Sequence, residues 1–156
     1  MNDSEGCRAL AEHLHHEHGR LNRLLLETGH EVAGLASVAQ PEQALAQLAL
    51  RLADLRKQLQ SHFAEEEAGG CLEEAVTRCP SLAEDSKAVV REHPQLDRML
   101  EQLVAQTRDA TAVLADIQRS YRAFFEKLQA HEAAQNRILQ MAFGAEAADY
   151  DIEEVD

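Results

Sequence analysis

Four times along this chain apolar residues return at steps of three, four or seven, and each run closes on a break. The first run holds Leu10, Leu14, His18, Leu21, Leu25, Val32 and Leu35 and stops near SVAQP at 37–41. The second follows Pro41, which suits a first helical turn, and carries Leu45, Leu48, Leu52, Leu55, Leu59, His62 and Glu66 as far as AGG at 68–70. CLEEAVTRCP at 71–80 is a connection with room for a short helical turn. Ser81 is the expected cap of the third run, which holds Val89, His93, Leu96, Leu100 and Leu103. Pro94 falls inside that run, so the helix either bends beside His93 or begins there. The fourth run follows TRDAT at 107–111 with Leu114, Tyr121, Phe124, Leu128, His131, Gln135, Ile138 and Ala142, before Gly144. A period near 3.6 in four long segments with short connections predicts an all-α fold, an antiparallel up-down-up-down four-helix bundle over residues 1–144. Residues 145–156 are acidic, lack periodicity and read as a solvated tail.

Composition narrows the function classes. The 156 residues suit one domain and one core. With 28 acidic against 15 basic residues the net charge is −13, which repels the phosphates of nucleic acid. No run of 18 apolar residues offers a membrane span, and MNDSEGCRAL lacks the blocks of a secretory signal, so a cytoplasmic protein is expected. Cys7, Cys71 and Cys79 form no CxxC pair and are odd in number, which favours reduced thiols. The alternative is a redox role for Cys71 and Cys79 in one loop.

Each stripe contains one histidine, and in an up-and-down bundle residues at one level lie equally far from the turn between their helices. The midpoint of His18 and His62 is at Gln40, that of His62 and His93 falls inside the 68–80 connection, and that of His93 and His131 is at Ala112. All four imidazoles therefore converge on one level. A single histidine on an apolar face is commonly a hydrogen-bonded core residue, but four together in a dry core call for something to neutralise them, and a divalent metal does so. His62 and Glu66 are four residues apart and share a helical face. Imidazole with carboxylate suits iron, manganese, zinc or copper over calcium or magnesium. Four histidines and a bridging carboxylate fit two ions better than one tetrahedral zinc. His13, His15, His16 and His30 lie off the stripe and read as surface residues, although HLHHEH at 13–18 has the composition of a metal-binding tract.

EHGRLNRLL at 17–25, HFAEEE at 62–67, EHPQLDRML at 92–100 and HEAAQNRIL at 131–139 occur in that order. This arrangement resembles the hemerythrin-like family of HHE cation-binding four-helix domains. The resemblance implies two non-haem iron ions, oxo- or hydroxo-bridged, with His18, His62, His93 and His131 as ligands and Glu66 as the bridge. It implies binding or sensing of dioxygen, nitric oxide, peroxide, iron or redox state. Gln135 stands where the family's second bridging glutamate would be. An amide bridges two ions poorly, so Gln135 is a weak terminal ligand, a hydrogen-bond donor to a bound species, or the mark of a site that has lost one metal. Asp97, four residues after His93, is a candidate compensating ligand or the partner of a nearby arginine. Glu65, Glu67 and Glu132 rotate towards the rim. A ferroxidase or peroxidase, and a structural bundle with a degenerate or single-zinc site, are the competing functions, and manganese is a further candidate metal.

Overall fold

The computed structural model describes residues 3–144, with side chains from residue 5 onward. Five helices follow in order: α1 Asp3–Gly34, α2 Pro41–Gly69, α3 Cys71–Arg78, α4 Ala83–Arg108 and α5 Leu114–Phe143. Short 3-10 turns at Leu35–Ser37 and Pro80–Leu82 join them, and the described residues contain no strand. The four periodic runs are thus the four long helices. α1 packs on α2, α2 on α4, α4 on α5, and α5 returns to α1. No helix among the described residues is long and apolar enough to cross a membrane. The acidic segment 145–156 lies outside the described residues.

Sequence pattern dictates where the core sits. Leu21, Leu25, Leu52, Leu59, Leu96, Leu100, Phe124 and Leu128 form the heart of a large buried cluster shared by the four long helices. A smaller cluster gathers Leu72, Ala75, Leu82, Val89 and Ile138 at the other end. Between them lies a polar layer. Each of α2, α4 and α5 carries a buried histidine beside the large cluster: His62 follows Leu59, His93 precedes Leu96, and His131 follows Leu128. On α1, His18 comes just before Leu21.

The short helix α3 closes the smaller cluster. Arg78 bonds to Glu74, one turn earlier, at 3.0 Å and lies over the Phe143 ring at 4.4 Å, which ties α3 to the end of α5. The connection expected to hold one helical turn is therefore an eight-residue helix. That changes the cysteine assignment: Cys71 is buried at the start of α3 and reaches the carbonyl of Cys7 at 3.7 Å, while Cys79 follows α3 and contacts Ser81 Oγ at 3.3 Å. Burial, with Cys7 beside it, pushes the Cys71 thiol up to about 12, the property of an inert packed thiol.

Ser81 does not cap α4. Pro80 starts a 3-10 turn that runs directly into the helix, so Ser81 lies inside the turn and Leu82 takes the N-cap position without a side-chain bond. Glu84 and Asp85 in the first turn supply the negative charge that the helix N-terminus favours. Pro94 lies well inside α4, which begins at Ala83, so the alternative that the helix starts at Pro94 is excluded. Lacking an N–H, Pro94 leaves the carbonyl of Val90 without its intrahelical donor.

Gly70 joins α2 to α3 with φ +70°, the left-handed conformation that ends one helix and starts the next within a single residue. A Cβ there would meet nothing within 4 Å, so the cost of a side chain is purely that of the backbone. Gly70→Ala is expected to lower the unfolding free energy by about 1 kcal/mol in a urea titration. An unchanged midpoint would contradict the left-handed joint.

Candidate metal centre

Glu66 is the middle of the polar layer. It projects from α2 one turn after His62, and its side chain is 1% exposed. Its Oε1 lies 2.7 Å from His62 Nε2 and 3.5 Å from His18 Nε2, whereas its Oε2 lies 3.2 Å from His93 Nε2. His18 Nε2 and His62 Nε2 are themselves 2.8 Å apart. The His131 ring stands edge-on to His93, with centroids 5.0 Å apart. Two donor sets result, His18–His62–Glu66 and Glu66–His93–His131, and within each the donor atoms lie inside 4.8 Å of one another. The carboxylate of Glu66 is common to both.

Electrostatics bear on which proton states are stable. Burial works against the Glu66 carboxylate, but His18, His62 and His93 outweigh it and hold its carboxyl far below the usual range. Burial also opposes charge on His62 and His93, and there the carboxylates prevail. Glu66 and Glu17 raise His62, and Glu66 and Glu67 raise His93. His131 goes the other way, down to about 4, because burial dominates and only Glu66 opposes it.

The hydrogen-bond inventory tests whether a cation fits. Both oxygens of Glu66, Nε2 of His93, both ring nitrogens of His131 and Oε1 of Gln135 are buried without a hydrogen-bond partner. Such atoms are costly in a dry interior. Close distances do not cure this, because Nδ1 of His62 bonds Glu17 Oε2 at 3.0 Å and Nδ1 of His93 bonds Glu67 Oε1 at 2.7 Å. The proton each ring carries when neutral sits there, and the Nε2 lone pair then faces the Glu66 carboxylate. Converging lone pairs from imidazole and carboxylate are the arrangement a divalent cation satisfies.

Sequence reasoning singled out the histidines but not the acids behind them. Glu17 of α1 holds His62 of α2, Glu67 of α2 holds His93 of α4, and Glu92 of α4 comes within 3.7 Å of Nδ1 of His131 on α5. Outer carboxylates of this kind orient the ring and raise its basicity as a ligand. Their signal was present as the Glu-His pair at 17–18 and again at 92–93. Glu67 is half exposed, as a rim residue should be, and still reaches a site histidine.

The other expected residues separate clearly. Gln135 is 3% exposed and lies one turn after His131 on α5. Asp97 is not brought to the layer. Its oxygens take a two-pronged bond from Arg56 at 2.8 and 2.9 Å, and Gln60 adds a third at 2.8 Å. Arg56, aided by Gln60, holds its carboxyl below the usual range. The partner is an arginine of the neighbouring helix, not Arg98 beside it in sequence. His13, His16 and His30 are exposed and His15 is partly so; His13 meets Glu65 at 2.8 Å on the surface.

Comparison with known proteins gives one match. Residues 9–143 match the family model of the hemerythrin HHE cation binding domain, which covers most of the chain. No curated protein and no solved structure matches.

Two measurements check this geometry. Asp97→Asn is expected to leave bound metal unchanged and to cost at most about 1 kcal/mol of stability, since the pair with Arg56 is partly solvated; a loss of metal would return Asp97 to the ligand set. Because the neighbouring carboxylates raise His62 and His93 above the ordinary imidazole range, protons and a cation compete for these rings. Metal uptake is therefore expected to release protons and to weaken as pH falls. Calorimetry in buffers of different ionisation enthalpy reads that release, and uptake independent of buffer would exclude it.

Proposed function

The chain belongs to the hemerythrin HHE cation-binding domain family, and from that premise we propose that it holds two non-haem iron ions and uses them to bind or sense dioxygen, nitric oxide or peroxide. One observation carries the reading: two sets of three donors share the single buried carboxylate of Glu66. On this reading His18 and His62 serve one ion, His93 and His131 the other, and Glu66 bridges them. Iron supplies an open coordination position and one-electron chemistry for such a ligand. The chain's own residues orient His62 and His93 through Glu17 and Glu67 and set the layer between two apolar clusters.

The same reading takes the four long helices as running alternately up and down over residues 1–144. In its support, His18 precedes the large cluster on α1, His62 follows it on α2, His93 precedes it on α4 and His131 follows it on α5. Three free cysteines agree with a cytoplasmic setting.

Gln135 makes the two halves unequal. The His93–His131 half lacks the charge of a second bridging glutamate, and an amide oxygen compensates only in part. Elemental analysis of protein produced with iron is expected to find about two ions per chain, the second held more weakly. His62→Ala removes an ion, and Gln135→Glu tightens the second by about tenfold. One zinc per chain, unchanged in His62→Ala, would defeat the reading.

A further inference from the structure

Beside Glu66, on the side away from the large cluster, a cavity of about 470 Å³ opens between the end of α2, α3 and α4. Glu66 lines it, as do Ser86 and Val90 of α4. Lys87 and Arg91, one turn apart on α4, line it as well.

One buried group on this wall lacks a partner. Both oxygens of Glu66 are without a hydrogen-bond partner, as already described. Ser86, only 7% exposed, shares this wall. A buried hydroxyl that lines an open cavity is a donor available to an incoming acceptor.

We propose that this cavity is the approach by which a small anion reaches the loaded centre, with Lys87 and Arg91 selecting it by charge and Ser86 donating to it. The inference rests on the two-metal reading above. The chain as a whole, at −13, repels anions. Against that background two cations on one wall form a local attractor. Arg91 has no ion-pair partner among the described residues, and Lys87 has only the exposed Glu84 at 3.3 Å. Three acids line the same cavity, Glu66, Glu67 and Glu73, so without metal its wall carries more negative than positive charge. Glu66 alone would turn an anion away, but bound divalent ions reverse the sign of the field at the inner end. The other edge of the layer is the partly exposed His18. It lies beside Glu17, which with Glu65 flanks His13, and those acids disfavour an anion there.

Formate and formamide, which match in size and differ in charge, test the proposal on manganese-loaded protein whose metal content has first been measured. The readout is paramagnetic relaxation of the ligand C–H proton. Formate is expected to relax several-fold faster than formamide, and the Lys87→Gln, Arg91→Gln double variant to lose about fivefold of that enhancement with metal content intact. Arg91→Lys should retain it, and Ser86→Ala should weaken formate alone. Equal relaxation of the two probes, or a double variant like the parent, overturns the anion route while the metal centre stands. Absence of bound manganese and iron in the initial analysis overturns both.

Discussion

A carboxylate with almost no exposure, placed among imidazoles from four helices, is the constraint to which the rest of this protein answers. Burying Glu66 costs several kcal/mol unless its charge is met. Here His18, His62 and His93, on three different helices, each bring a ring nitrogen within 3.5 Å of it, a cluster of donor atoms that a bound cation would satisfy. The helices cannot slide past one another without separating those groups. Their register follows from the layer, and the layer in turn divides the apolar interior into a large cluster and a small one. The short α3 exists in that context as the cover of the smaller compartment, since Leu72 and Ala75 complete what Val89 and Ile138 begin.

On the two-metal reading, charge balance would account for Gln135. Two divalent ions in the layer would need about four negative charges close by. Glu66 supplies one, and Glu17, Glu67 and Glu92 stand behind His62, His93 and His131 to supply three more. On the two-metal reading, compensation would come from the far side of the rings. Charge placed there stabilises an ion through the imidazole and leaves a coordination position unclaimed, which a second bridging carboxylate would fill.

Much of this was legible in the chain because the helical period and the spacing of the histidines report the same geometry twice. Four stripes located four long helices, and His18, His62, Glu66, His93 and His131 came together as their levels required. What failed was local or depended on partners distant in sequence. Eight residues are too few for periodicity to distinguish α3 from a loop, and Ser81 looks like a cap until Pro80 draws it into a 3-10 turn. Asp97 has the spacing of a ligand, yet Arg56, 41 residues away, claims both its oxygens. The acids behind the rings were hidden because each serves a helix other than its own.

That last arrangement runs in one direction, from α1 to α2, from α2 to α4 and from α4 to α5, and it does not close. Nothing among the described residues holds the far nitrogen of His18 in the same way, and His18, at 14%, is the most exposed of the four rings. The circuit thus leaves two rings unlatched, His131, whose nearest outer acid stays 3.7 Å away, and His18 on the helix that opens the series. A fault introduced at an outer acid therefore surfaces on the neighbouring helix instead of its own.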